Sequence, residues 1–193
     1  MIRIWFFISF LIITSQIALA DDKRDAEDLL KSKLDSVFAI LQKQDVDQKM
    51  KNDEITKIVT PMFDFALMAK LSLGRKYWPE LPQEKKERFT ELFIKRLRAS
   101  YLDNLASYTD EKVNFEPPLK VKSKVHIPTY LISKNRKTSM LYKLYKSKAD
   151  WKIYDVEIQG VSIIRSYRSQ FDATMQSGGI DDLLRKMEMP ADS

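Results

Sequence analysis

The spacing of apolar residues changes twice along this chain of 193 residues, and the change limits the folds open to it. Up to about residue 110 apolar residues recur every three or four positions, as on one side of a helix. From about Lys112 the period falls to two, as Val121, Val125 and Ile127 alternate with basic residues, and after Gly160 the helical spacing returns. Helices, then a meander of about four antiparallel strands, then a closing helix predict an α+β fold with helices packed on the concave face of a curved sheet.

The strongest helical pattern begins at Pro82, whose fixed φ suits a first helical turn. Its apolar stripe continues for about five turns, from Phe89 to Tyr108. A stripe of this length requires a wide apolar surface to pack against. Further helices are predicted at 22–43, at 53–73 with an interruption at Pro61, from about 164 to Gly178, and at 180–187.

Residues 1–20 have the three parts of a secretory signal peptide. Arg3 precedes an apolar run from Ile4 to Ile13, and small residues stand at the end, before Asp21. The run of about ten apolar residues is too short to cross a hydrocarbon layer of roughly 30 Å as a helix. We therefore predict cleavage after Ala20 and a single exported domain over residues 21–193.

Composition excludes much familiar enzyme chemistry. The chain has no cysteine, which excludes disulfides, thiol nucleophiles and thiolate metal sites. Its one histidine, His126, excludes a metal site with two imidazoles, and its four glycines are not spaced as a phosphate-binding loop. We expect no metal and no resident cofactor.

Acid–base catalysis by a buried carboxylate needs neither cysteine nor histidine. Asp64 lies between two phenylalanines and Asp155 between a tyrosine and a valine, so either carboxyl group is a candidate for a raised pKa. The more common use of such a residue is to cap a backbone turn or to pair with arginine. We predict that the protein is not an enzyme.

Basic residues are concentrated between Pro117 and Lys152, where ten of them stand against one acidic residue, Asp150. They fit a solvated sheet face whose lysines protect strand edges from aggregation. They also fit a surface that attracts lipid headgroups, a membrane or an acidic protein patch. We do not predict nucleic-acid binding, because the lysines are not interleaved with a base-stacking platform and the signal directs the protein elsewhere. His126 lies on the lysine-bearing side of its strand, so a surface imidazole is expected.

Two stretches carry a specific order of residues. The first contains Phe63-Asp64-Phe65, Met68-Ala69, Leu73-Gly74 and Tyr77-Trp78. The second contains Trp-Lys-Ile-Tyr-Asp-Val at 151–156, Gly160-Val161-Ser162, Tyr-Arg-Ser-Gln-Phe at 167–171, and Gly179-Ile180-Asp181 with Leu183. Together they resemble the MlaC, or toluene-tolerance, family of periplasmic lipid carriers, and the resemblance covers essentially all of residues 21–193.

The resemblance implies a cone similar to nuclear transport factor 2 with added helices, enclosing a pocket for the acyl chains of a phospholipid cargo. It implies a soluble monomer in the periplasm of a Gram-negative bacterium. Such a protein shuttles lipid between an outer-membrane lipoprotein complex and the substrate-binding subunit of an inner-membrane ABC transporter. The system maintains the lipid asymmetry of the outer membrane. Some members are proposed to carry other lipids, such as hopanoids, so the cargo stays open.

We place the pocket between the inward face of the sheet and the long helix. Candidates near Gly160 follow the family motif, whereas those on the long helix rest on the apolar stripe, which ordinary core packing also explains. The predicted wall residues are Phe65, Met68, Phe93, Leu97, Tyr101, Tyr142, Leu144, Trp151, Val156, Val161 and Ile164.

Two alternatives to a carrier remain at this point. A fold like nuclear transport factor 2 also hosts isomerases and dehydratases that use buried carboxylates, which would require Asp64 or Asp155 to face a polar pocket. A structural adaptor would instead have a solid interior and dock through its basic sheet.

Overall fold

A computed structural model describes residues 14–102, 112–133, 136–148 and 150–189. Its helices are α1 (Thr14–Leu41), α2 (Gln48–Val59), α3 (Phe65–Tyr77), α4 (Gln83–Leu97) and α5 (Ile163–Glu188). Its strands are β1 (Lys112–Phe115), β2 (Leu119–Val121), β3 (Lys124–Ser133), β4 (Arg136–Ser147), β5 (Asp150–Ile158) and β6 (Val161–Ser162). The strands form one antiparallel sheet in the order β1-β3-β4-β5-β6, and β2 pairs with β3. The predicted α+β class is confirmed.

The sheet has one covered face, as its alternation of residues requires. We call this the inner face. It comprises Val125, Ile127 and Thr129 on β3, Met140, Tyr142 and Leu144 on β4, and Trp151, Ile153 and Val156 on β5. All of these are buried except Met140, which is half-buried. The outer face carries Lys124, His126 and Pro128 on β3 opposite Tyr145, Lys143 and Leu141 on β4, and these are only half-buried.

Aromatic contacts hold α4 to α5 beside this inner face. Phe93 of α4 lies edge-on to Tyr167 of α5 with 5.3 Å between ring centroids, and Phe89 meets Phe171 in the same way at 5.3 Å. Each such pair contributes about 0.5–1.5 kcal/mol beyond the burial of its area. The apolar stripe predicted for α4 therefore packs mainly against α3 and α5, while α3 and α5 contact β5 and α1 contacts β3.

The regular α-helical geometry ends inside the predicted stripe. Pro82 is the N-cap residue of α4, which ends at Leu97 and is followed by a π-helical turn, Arg98–Leu102. The rest of the predicted stripe, including Leu105 and Tyr108, lies outside the described residues.

Two glycines with a left-handed backbone bend helices. Gly74 has φ 84° inside α3, and Gly179 has φ 71° inside α5, so helical turns continue after each kink. An L-residue with a side chain rarely adopts such a φ. The predicted helix end at Gly178-Gly179 is thus a bend, after which Leu183 and Met187 are buried.

The structure does not test the predicted signal peptide. Residues 1–13 lie outside the described part, and residues 14–20 belong to α1. Within the described ranges no helix combines the length and apolar character that a membrane span needs. Cleavage after Ala20 stays a prediction.

Candidate functional site

The structure gathers nine of the eleven predicted wall residues into one buried cluster. Four come from the sheet, and five come from the helices above it. The sheet residues are Tyr142, Leu144, Trp151 and Val156, and the helix residues are Phe65 and Met68 of α3, Phe93 and Leu97 of α4, and Ile164 of α5. Whether they surround a bound molecule remains a prediction.

Val161 and Tyr101 lie apart from this cluster. Val161 is 59% exposed, because it follows the Gln159-Gly160 turn on the two-residue edge strand β6, and its neighbour Ser162 is the residue that is buried. Tyr101 is 37% exposed in the π-helical turn after α4. Burial of part of its ring raises the pKa of its phenol, with a further contribution from Tyr167.

The inner face carries a few polar groups in apolar surroundings. Among the described residues the Tyr142 hydroxyl donates to the Met140 sulfur, at 3.7 Å, and burial raises the pKa of Tyr142 to about 12. The phenol is therefore neutral at physiological pH. The Thr129 hydroxyl, on a residue only 1% exposed, has no hydrogen-bond partner in the described ranges. A largely apolar lining with a few polar atoms is the usual composition of a site for small molecules.

Asp64 is engaged at the start of α3. Its Oδ1 accepts a hydrogen bond from the Leu67 backbone N–H at 2.8 Å, and its other oxygen accepts one from the Tyr145 hydroxyl. Its own backbone N–H donates to the Ile153 carbonyl at 2.9 Å, which ties α3 to β5. Asp64 is thus an N-cap and an anchor, as Asp at this position commonly is.

Asp155 is engaged at the start of α5. A β-bulge in β5 places both Tyr154 and Asp155 opposite Lys143. The Asp155 carboxylate accepts hydrogen bonds from the Ser162 hydroxyl at 2.8 Å and the Ile164 backbone N–H at 3.2 Å. It also pairs with Lys143 Nζ at 3.0 Å. Both carboxylates are thus used as helix caps and hydrogen-bond or ion-pair partners, which is the more common use of such residues.

His126 lies half-buried on the outer face rather than free on the surface. Its Nε2 is 3.2 Å from the Tyr154 hydroxyl. Burial lowers the pKa of His126, and the charges of Lys143 and Lys124 lower it further. The folded state therefore disfavours the protonated imidazole, although Glu157 and Asp155 act in the opposite direction.

Many lysines of the basic segment are already paired. Lys120 and Lys146 both contact Asp22, at 2.7 and 3.1 Å, and Lys143 contacts Asp155 and Glu157. Two others stack on tyrosines of the outer face. Lys124 Nζ lies 4.1 Å from the Tyr154 ring centroid, and Lys137 Nζ lies 3.5 Å from that of Tyr130. This arrangement fits the interpretation of the segment as a solvated sheet face.

Two surface depressions lie away from the predicted wall. A groove of about 600 Å³ between α3 and α4 is lined by Ala66, Trp78, Gln83, Lys86, Glu87, Thr90 and Glu91. A smaller one, of about 190 Å³, lies by the paired strands β3 and β4 and the Gly160 turn. Neither contains a predicted wall residue, and the charged lining of the larger groove does not suit an apolar ligand. In the described ranges no three His, Asp or Glu side chains are grouped to hold a metal ion.

Sequence reasoning missed two residues that matter below. Thr129 follows Val125 and Ile127 in the alternation of β3, so the period of two could have predicted that Thr129 points inward. Arg98 lies off the apolar stripe of α4, and no feature of the sequence distinguishes it from its exposed neighbours.

Comparisons with known proteins bear on this site. Residues 31–189 match the model of the family described as MlaC protein. The chain is 23% identical over 121 residues to the intermembrane phospholipid transport system binding protein MlaC of Haemophilus influenzae, covering 60% of this chain and 56% of that protein. It is 25% identical over 131 residues to the toluene tolerance protein ttg2D of Pseudomonas putida, covering 67% and 61%. The chain thus spans less than two thirds of the length of these curated relatives.

A solved structure shares the fold. The phospholipid-binding protein from Ralstonia solanacearum, solved in complex with a phospholipid, superposes with a TM-score of 0.76 at 22% identity. The match covers 85% of this chain and 95% of that one. At this identity the likeness establishes the arrangement of helices and sheet.

Proposed function

The chain belongs to the MlaC family, whose model it matches over residues 31–189, and from this premise we propose that it is a carrier that holds the acyl chains of a phospholipid between its inner sheet face and α3, α4 and α5. The observation that carries the proposal is the continuous apolar inner face, which is covered by helices that bear aromatic side chains. The names of the relatives, a phospholipid transport binding protein and a toluene tolerance protein, support it.

The dimensions of the inner face suit an acyl chain. The inner face extends from Met140 to the level of Trp151, which pairs with Lys146; these six residues of β4 span about 20 Å at roughly 3.3 Å per residue. One leaflet of a bilayer is about 15 Å of hydrocarbon, half of the roughly 30 Å core. A chain lying along β4 would therefore stay inside the protein over its whole length.

The energetics explain why a carrier is needed. Each methylene group exposed to water costs about 0.8 kcal/mol, so a sixteen-carbon chain costs on the order of 12 kcal/mol. The interior must be nearly as apolar as the bilayer. It must not bind the chains more strongly than the bilayer does, because delivery would then stall. Release therefore depends on differences in affinity that the docking partners impose.

The finer parts of the proposal concern place and partners. We propose that the protein works as a monomer in the periplasm of a Gram-negative bacterium after cleavage at Ala20. It would receive and deliver lipid between an outer-membrane lipoprotein complex and the substrate-binding subunit of an inner-membrane ABC transporter. The signal pattern of residues 1–20 and the relatives' names support this.

Native mass spectrometry of gently purified exported protein tests the proposal. We expect a population heavier than the polypeptide, and solvent extraction should release a phospholipid. A hopanoid in the extract would identify the other cargo instead. If the exported protein is purified at full yield and fully folded but contains no lipid, the carrier function is contradicted.

A matched pair of variants locates the cargo. Val156→Trp fills the inner face opposite Tyr142. Leu141→Trp places the same ring on the outer face, at the residue that precedes Tyr142 on β4. Overpacking costs typically 1–3 kcal/mol, so both variants are first checked by thermal unfolding. We expect the inner variant to lose bound lipid and the outer variant to keep it. Equal lipid content in both would remove the inner face from the site.

A further inference from the structure

Two buried N–H groups near the short 3₁₀ turn Thr60–Met62 have no acceptor among the residues that the structure describes. The indole of Trp151 is on a residue only 5% exposed, and its Nε1 makes no hydrogen bond. The same holds for Nε of Arg98, at the end of α4. Buried donors without partners are rare in folded proteins, and they commonly mark a place where a ligand or water completes the structure.

Arg98 and the start of β5 both lie beside this turn. Arg98 Nη2 donates to the Thr60 hydroxyl at 3.2 Å. Phe63, which follows the turn, bridges Ile153 of β5, so the backbone at Trp151 runs alongside the turn, while the Trp151 side chain lies on the inner face. The two unpaired donors therefore belong to the same end of the protein interior.

The described part of the chain also provides little compensation for the charge of Arg98. Its hydrogen-bond partner on the described part of the chain is a neutral hydroxyl, and no carboxylate there pairs with it. A second cation lies near, because Lys146 Nζ is 5.7 Å from the Trp151 ring centroid. Two donors and an uncompensated guanidinium fit an anion with several acceptor oxygens, and the planar fork of arginine suits phosphate.

We propose that Arg98 and Trp151 bind the phosphate of the carried lipid, at the end of the interior next to Thr60. This inference rests on the proposed carrier function. The end in question is close to solvent, since Tyr101 in the same π-helical turn is 37% exposed. The headgroup beyond the phosphate can thus remain in water while the chains extend along β4 towards Thr129, which lies opposite Met140.

The test compares two lipids with identical acyl chains, phosphatidylglycerol and diacylglycerol, which differ by the phosphate-containing headgroup. Each is loaded onto delipidated exported protein, and its affinity is measured for wild type, Arg98→Met and Trp151→Phe. Arg75→Met is the control, because it removes the same charge from an exposed position. All variants are first compared by thermal unfolding.

We expect Arg98→Met to weaken phosphatidylglycerol binding at least about tenfold, the size of one lost hydrogen bond to a charged group. Trp151→Phe, which keeps the ring and removes the N–H, should weaken it about threefold to tenfold. Diacylglycerol binding should be unchanged in both, and Arg75→Met should behave as wild type. If Arg98→Met does not fold, Trp151→Phe decides by the same comparison.

Three results would overturn the phosphate site. Arg98→Met and Trp151→Phe could weaken both lipids equally, which would mean a role in packing. They could instead leave phosphatidylglycerol binding unchanged. Finally, millimolar inorganic phosphate could stabilise the lipid-free wild type but not Arg98→Met while both proteins bind phosphatidylglycerol equally well, which would assign the site to free phosphate. Wild type that binds neither lipid is a different result, since it refutes the carrier function itself.

Discussion

Replacing Asp155 tests whether this buried carboxylate is structural. In Asp155→Ala the Ser162 hydroxyl and the Ile164 backbone N–H lose their acceptor, while Lys143 keeps Glu157 as a partner. A hydrogen bond to a charged group contributes about 1.5–3 kcal/mol, so the lower end for two such bonds gives about 3 kcal/mol of lost stability. One kcal/mol shifts the Tm of a domain of this size by about 2–4 °C, and the expected fall is therefore about 6–12 °C.

The assay is thermal unfolding of lipid-free protein at pH 7, followed by circular dichroism. Asp155→Asn keeps an acceptor oxygen without the charge, and it should lose about half as much stability. Asp150→Ala is the matched control, because Asp150 begins the same strand and is exposed, so its Tm should change by little. If Asp155→Ala unfolds at the wild-type temperature, or falls no further than Asp150→Ala, the assignment of Asp155 as the anchor of α5 is refuted.

Three further predictions concern single groups. Hydrogen bonds from Lys120 and then Lys146 lower the pKa of Asp22, so its stabilisation is present above the unfolded pKa of about 3.9 and disappears as pH falls through the folded pKa. Asp22→Asn should therefore cost about 0.5–1 kcal/mol at pH 7 in denaturant unfolding and nothing in strong acid; a pH-independent cost would refute the ion pairs. Burial lowers the pKa of His126, so wild type should lose stability relative to His126→Phe as pH falls below about 6.5, where the unfolded imidazole gains its proton first; parallel pH curves would contradict this. Thr129→Val removes a buried hydroxyl without a partner and should raise stability by about 1 kcal/mol, whereas a loss would show that the hydroxyl is bonded in the folded state.

The sequence predicted the order of elements because periodicity is a local property. Apolar residues three or four apart must share one side of a helix, and alternating residues must share one face of a strand, whatever the rest of the chain does. The inward sets Val125 and Ile127 on β3 and Tyr142 and Leu144 on β4 followed directly. The match of residues 31–189 confirms the family that the motifs at 63–78 and 151–183 indicated.

The candidate site was predicted less completely, since membership of a motif does not fix the direction of a side chain. Val161 stands beside Ser162 in the Gly-Val-Ser motif, yet Val161 is exposed and Ser162 is buried. Adjacent residues on a strand point to opposite faces, so a change of one position reverses inside and outside. The apolar stripe likewise did not show that α-helical geometry changes to a π-helical turn after Leu97.

Local pattern alone therefore determined which segments are helices or strands, which side of each is apolar, and which family the chain joins. Only the tertiary structure decided the roles of Asp155 and Arg98, since their partners Ser162, Lys143 and Thr60 come from other elements. Such contacts depend on strand register, a β-bulge and the packing of α4 beside the Thr60–Met62 turn. These are set by the closure of the whole chain around one core, so no window of sequence contains them.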